Sequence, residues 1–108
     1  MENITFEEFK KMDLRIARVI EVQDHPDADK LYVLKVDLGS ETRQIVAGIR
    51  AHYKKEELAG KDIVVITNLQ PRTIRGIESR GMLLAAQDEN GIHILIPEKS
   101  TKPGSPVS

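Results

Sequence analysis

The sequence predicts an all-β domain built as a small, closed, five-stranded Greek-key barrel, and three observations lead there. Three runs with strand periodicity, a short helical segment and two further apolar runs follow one another along the chain, which is the element order of an OB-fold. The first of these runs carries apolar side chains in both alternation phases, as a long bent strand shared by two halves of a barrel would. The chain is also the right size: 108 residues with 40% apolar content suit one core, too small for two and large enough to fold without staples. Residues 1–108 therefore read as a single domain.

Residues 1–12 hold a short N-terminal helix. Thr5 and Glu8 make its capping-box pair, and Ile4 and Phe9 stand where a hydrophobic staple would clamp the helix entry. Phe6 and Phe9 share one face with Met12 near it, and that face is expected to pack on the barrel or on a second copy of the chain. The barrel is expected over residues 13–86. DLRIARVIEV is the bent strand, with Leu14 and Ile16 in one phase and Val19 in the other. LYVLKVDL alternates cleanly, placing Tyr32, Leu34, Val36 and Leu38 on one face. RQIVAGI supplies a third run with Arg43, Ile45, Ala47 and Ile49 in phase. KKEELAG is a short helix between the third and fourth strands, stopped by Gly60 as C-cap. IVVITNL and GMLLAA read as buried strands. Residues 87–108 form a C-terminal extension: a turn signal at Glu89-Asn90-Gly91, a sixth run IHILI, and the loop-like tail TKPGSPVS.

Composition removes several function classes. The absence of cysteine excludes disulfides and thiolate chemistry. ENITFEEFKK at the start is acidic and has no apolar run, and no apolar stretch reaches membrane-spanning length, so a soluble cytoplasmic protein with no membrane partner is expected. A formal net charge of -1 argues against a binder whose whole surface is basic. Locally the balance differs: Arg43, Arg50, Lys54 and Lys55 lie in a stretch without acids, whereas Glu21 to Asp37 is acid-rich. One side is basic if the fold gathers the positive segments. The only aromatic residues are Phe6, Phe9, Tyr32 and Tyr53, too few for a base-stacking platform, so any nucleic acid would be read by shape and backbone.

The connection from Asn68 to Ala86 carries Arg72, Arg75 and Arg80 against one acid, Glu78, between two apolar runs. Guanidinium groups gathered in one Gly- and Pro-punctuated loop point to an anion, and phosphate matches the planar fork in bidentate geometry. The competing reading is a solvated loop. A second segment, His25-Pro26-Asp27-Ala28-Asp29-Lys30, suggests a metal site or an acid/base pair, but nothing elsewhere completes a coordination sphere. Aspartates after proline are common turn formers, and Lys30 can pair with either. His93 is out of phase with Ile92, Ile94 and Ile96 and should face solvent or an interface. No glycine-flanked serine elbow and no phosphate-cradling Gly-rich loop is present. Neither catalysis, nor a metal, nor a cofactor is expected.

The segments DLRIARV, HPDADKLYVLKVDLG, RQIVAGI and NLQPRTIRGIESRGMLLAA resemble the tRNA-binding domain appended to many methionyl-tRNA synthetases. Relatives of that domain occur as standalone tRNA-binding proteins and as C-terminal modules of multisynthetase cofactors. The likeness covers nearly the whole chain, and its last segment is the most specific, combining Asn, a basic residue, Arg-Gly and Ser-x-Gly-Met in fixed order. The resemblance implies an OB-fold module, without catalytic residues of its own, that binds the outside corner of tRNA by shape with little sequence preference. It further implies a homodimer, for which the Phe6/Phe9 helix and the chain from Ile92 onward are the candidate surfaces, and a role as the C-terminal domain or a free subunit of a methionyl-tRNA synthetase, with the catalytic part as partner.

Carried over residue by residue, the tRNA contacts fall on Asn68, Arg72, Arg75, Ser79 and Met82. Arg72 stands where many members have lysine. Arg72 and Arg75 would neutralise phosphates. Asn68 and Ser79 would bond ribose or phosphate oxygens, or else satisfy the turn and cap a strand end. Met82 begins an apolar strand and suits the core or a groove floor, and HPDADKL becomes a family-defining turn. The alternative belongs to another class: a dimeric chaperone-like or protein-docking OB-fold module, resembling a secretion-associated chaperone that usually lacks the Gly-Met-Leu-Leu-Ala-Ala ending.

Overall fold

In chain order, the computed structural model, which describes all 108 residues, contains α1 (Phe6–Lys10), β1 (Leu14–Asp24), β2 (Tyr32–Asp37), β3 (Thr42–Ala47), α2 (Lys55–Leu58) and β4 (Asp62–Ile66), followed by β5 (Arg72–Ile74), β6 (Ile77–Ser79), β7 (Met82–Leu83), β8 (Ala85–Asp88), β9 (Gly91–Ile94) and β10 (Pro106–Val107). The barrel strands run in the order β3-β2-β1-β4-β7, all antiparallel. Just before β7, the end of β6 and Arg80 meet β3, where the Arg80 N–H donates to the Gln44 carbonyl at 3.0 Å and the Val46 N–H donates to the Ser79 hydroxyl at 2.9 Å. That contact nearly closes the barrel and gives the expected OB-fold.

The first strand explains its own double phase. β1 pairs with β4 along its first half and with β2 along its second, and the register slips between Val19 and Glu21. Ile20 is the extra residue of a bulge, which bends the strand and moves the core-facing set from Ala17 and Val19 to Val22. Ile16 is buried too, on the opposite face and in register with Val64. Here the C-terminal chain runs along both strands' free edges: the Gly104 N–H donates to the Ile16 carbonyl at 2.7 Å and the Val64 N–H to Leu95 at 3.3 Å. Gly104 has φ +89, and a Cβ there would meet the Leu38 carbonyl oxygen at 2.3 Å, so only glycine lets the tail lie this close.

The β2 and β3 patterns hold as expected. Tyr32, Leu34, Val36 and Leu38 are buried, as are Ile45, Ala47 and Ile49. Leu58 from α2 is fully buried in the same core, and Gly60 follows the helix at φ +85, the left-handed conformation of a C-cap glycine.

Two expectations change, and a third, for α1, is narrowed. First, α1 has its capping box, with the Glu8 N–H on the Thr5 hydroxyl at 3.1 Å and the Thr5 N–H on the Glu8 carboxylate at 3.0 Å, yet it buries no residue. Phe6 stays 67% exposed with its ring stacked on Phe9 at 6.5 Å. Phe9 is half-buried and the chain just past the helix is tied to Asn68 through the Lys11 carbonyl, so Phe6 is the part of the apolar face left open for a second copy. Second, GMLLAA is not one buried strand. β7 is two residues long, and after Leu84 the chain leaves β4 to pair as β8 with β9. The cause lies in β4's edge: the Val64 carbonyl accepts Leu84, but its N–H is given to Leu95. Ala85 and Ala86 are exposed and bring little apolar bulk to oppose the departure. Third, the Asn68–Ala86 connection is not a plain loop, because β5 and β6 form a two-stranded ladder within it.

Candidate nucleic-acid interface

β5 and β6 pair with Arg72 opposite Ser79, Thr73 opposite Glu78 and Ile74 opposite Ile77, leaving Arg75-Gly76 as the two-residue turn. Arg75 has φ 51 and Gly76 φ 89, the doubled positive φ of a type I′ turn, whose twist matches the hairpin's. Only glycine takes such a φ freely, so Arg75 sits there at a backbone cost of about 1 kcal/mol. The hairpin therefore presents an arginine at its tip.

Of the five expected contact residues, Arg72, Ser79 and Met82 line one small depression of about 50 Å³ together with Leu69, Gln70 and Ile74. Asn68 lines the neighbouring one, and Arg75 lines neither. The Arg72 guanidinium is exposed and forms no ion pair. Arg75 is exposed as well, and its Nη2 donates to the Asp27 carbonyl at 2.8 Å. Met82 is 44% exposed and belongs to the groove lining.

The two small polar residues are already engaged. The Asn68 Oδ1 accepts the Asp13 N–H at 2.9 Å while its Nδ2 donates to the Lys11 carbonyl at 2.6 Å, so this side chain joins the end of α1 to the start of β1. Ser79 is only 5% exposed; its hydroxyl accepts the Val46 N–H at 2.9 Å and donates to the Gly81 carbonyl at 3.0 Å. It clasps the hairpin to β3. Ser79→Ala would leave the buried Val46 N–H without an acceptor, and we expect a stability loss of about 1–3 kcal/mol, read as a lowered denaturant midpoint at unchanged m.

The histidine of the expected turn supports the hairpin. His25 is 3% exposed; its Nδ1 accepts the Asp27 N–H at 3.0 Å and its Nε2 lies 3.0 Å from the Ile74 carbonyl. Because a backbone N–H can only donate, the proton is assigned to Nε2, which donates to Ile74. Both ring nitrogens are thus spent, leaving no lone pair for a metal. With Arg75 on the Asp27 carbonyl, the His25 loop holds the hairpin at two points. The cue in the sequence was faint, since Ile74 lies 49 residues from His25.

The basic segment expected on one face divides. Arg50 and Lys55 both reach the Asp24 carboxylate, at 3.4 and 3.3 Å, whereas Arg43 turns toward the foot of the hairpin, pairing with Glu41 and donating to the Thr67 carbonyl. Close by, Asp13 bonds Arg15 at 2.8 Å and also accepts the Thr67 hydroxyl. The Arg15 hydrogen bond, then that of Thr67, holds the Asp13 carboxyl below the usual carboxylate range, and Arg43 does the same for Glu41. Depressed carboxylates contribute stability above their unfolded-state pKa and lose it as pH falls through the folded value.

Residues 14–106 match the family model described as a putative tRNA binding domain. Among curated proteins, the chain is 54% identical over 107 residues to the methionine–tRNA ligase of Thermococcus kodakarensis, covering 99% of this chain and 14% of that protein. The chain thus spans about one-seventh of such a relative's length. Among solved structures, a MetRS-related protein from Pyrococcus horikoshii superposes with a TM-score of 0.93 at 34% identity, each chain covered in full. The CsaA chaperone protein of Picrophilus torridus gives 0.92 at 32% identity, covering 98% of this chain and all of that one.

Proposed function

This chain belongs to the family of tRNA-binding domains, and from that premise we propose that it is a non-catalytic module that grips folded tRNA by shape and backbone, with little preference for sequence. The observation that carries the reading is the unpaired Arg72 guanidinium beside a hairpin tip that displays Arg75. In the reading, these two arginines neutralise phosphates, Met82 supplies the groove wall, and Asn68, which stays exposed, offers its remaining amide hydrogen. The module serves as the C-terminal domain or a free subunit of a methionyl-tRNA synthetase, raising the local tRNA concentration, so it lowers apparent KM more than it changes kcat. The cytoplasm is the compartment that goes with this role.

The test is an anisotropy titration of labelled folded tRNA from low to physiological salt, with an unstructured RNA of equal length as competitor. Saturable, salt-sensitive binding that the unstructured RNA competes for poorly supports the reading. No binding to either RNA at low salt overturns it.

The reading includes a homodimer. Ile4, Phe6 and Met12 near the N-terminus and Leu95 and Ile96 after β9 are all exposed, and apolar side chains on both terminal segments suit a twofold contact. Equilibrium sedimentation is expected to give a dimer at micromolar concentration, and Phe6→Glu a monomer. A wild-type monomer would remove the dimer and leave the tRNA site standing. A second reading, a chaperone-like module for unfolded polypeptide, rests on the likeness to the CsaA protein. Polypeptide binding that is indifferent to Arg72→Ala would favour it.

A further inference from the structure

The third arginine of the connection stands apart from the other two. Arg80 follows β6, and its backbone is held to β3 on both sides: its N–H donates to Gln44 at 3.0 Å and its carbonyl accepts Arg43 Nη1 at 3.5 Å. The side chain is exposed and pairs with no carboxylate. It lines a depression of about 270 Å³ with Arg43, Asn68 and Gln70. Leu69 and Gln70 also line the Arg72 depression, so the two lie side by side at the foot of the hairpin.

Arg43 comes to this depression already oriented. Its Nε pairs with Glu41 and its Nη1 donates to the Thr67 carbonyl, with only 19% of the side chain exposed. Arg80 adds to Arg43 in lowering the Glu41 pKa, so the Arg80 charge acts on the same carboxylate. Two guanidinium groups against one carboxylate leave one positive charge in excess. The Gln70 amide is exposed and can donate beside them.

We propose that Arg80, Arg43 and Gln70 form a second phosphate seat, next to that of Arg72, which holds a neighbouring backbone phosphate of the same RNA strand. This inference rests on the tRNA-binding reading and extends it to residues outside the family-like set. Glu41 acts as an attenuator, occupying Arg43 in the free protein and competing with the incoming phosphate. The seat makes the interface a strip along the foot of the hairpin. A fixed pair of adjacent phosphate sites also requires an ordered backbone, as folded RNA supplies.

The experiment is the salt-dependent tRNA titration on four single variants, Arg80→Ala, Arg80→Lys, Glu41→Gln and Arg72→Ala. Arg80→Ala is expected to weaken binding about tenfold and reduce the salt slope by about one unit, with an unchanged unfolding midpoint because only its backbone bonds the barrel. Arg80→Lys should restore the slope while recovering only part of the affinity, as a point charge replaces a fork. Glu41→Gln should tighten binding about two- to fivefold, the scale of one exposed charge interaction. If Arg80→Ala leaves affinity and slope untouched while Arg72→Ala loses both, the second seat is refuted and the tRNA reading survives. Weaker or unaltered binding by Glu41→Gln refutes the attenuator. Failure of the wild type to bind tRNA refutes the reading beneath both.

Discussion

Changing Arg72 and Arg75 together to alanine is expected to weaken tRNA binding by about a hundredfold or more and to flatten its salt dependence by about two units of slope. Hydrogen bonds to charged groups are worth about 1.5–3 kcal/mol each, and each lost phosphate contact removes somewhat less than one counterion from the release on binding. The fold should tolerate the change. Both side chains are exposed, and the only bond either makes within the protein is from Arg75 to the Asp27 carbonyl. Arg72, which has nothing to give up before it meets phosphate, should carry the larger share. The salt titration reads both quantities at once, and an unchanged slope would mean that neither arginine touches phosphate.

His25→Ala should have the largest effect on stability among changes near the site. It strips a buried position of two hydrogen bonds, removing the acceptor of the Asp27 N–H and the donor that ties the Ile74 carbonyl of β5 to the His25 loop. At about 0.5–1.5 kcal/mol for each hydrogen bond lost, the total loss from the two bonds is about 1–3 kcal/mol in denaturant unfolding, to which the vacated imidazole volume adds. Amide exchange should rise across Arg72–Ser79 as well as in the His25 loop, because Ile74 belongs to β5. Exchange that rises only around residues 26–30 would show that the hairpin stands without the imidazole.

Ser79 and Asn68 carry local bonds of the kind the sequence reading allowed beside a contact role. Both stand at family-like positions, and the sequence left each with two roles, contact or local support. The structure places support in both, because the Ser79 hydroxyl answers a backbone N–H from β3 and the Asn68 amide bridges two segments near the N-terminus. Arg72 and Arg75 could be singled out as candidates because the connection sets three arginines against one acid, a charge count that needs no knowledge of the fold. The hairpin beneath them was not, since its alternation, Arg72 to Ser79 around Arg75-Gly76, is only three residues per strand, short enough to pass for loop. The departure of Ala85 and Ala86 from the barrel escaped for another reason. The Val64 N–H is given to Leu95 while its carbonyl accepts Leu84, and nothing local to GMLLAA records that division.

By itself the sequence determined the barrel: the alternation of Tyr32, Leu34, Val36 and Leu38, the bent first strand, the capped helix and the order of the elements. These follow from chain-local physics, because the side-chain period of a strand and the orphan N–H groups of a helix end are set within a few residues. It also supplied the arginines of the connection. Only the tertiary structure decided which polar groups are free to meet a ligand. The partners that occupy both ring nitrogens of His25, the Ser79 hydroxyl and all but one amide hydrogen of Asn68 include groups 49, 33 and 55 residues away, and the depression joining Arg43 to Arg80 exists only once β3 has met the end of the hairpin. A hydrogen bond depends on distance and direction in space, and those are fixed by packing the whole chain around its core.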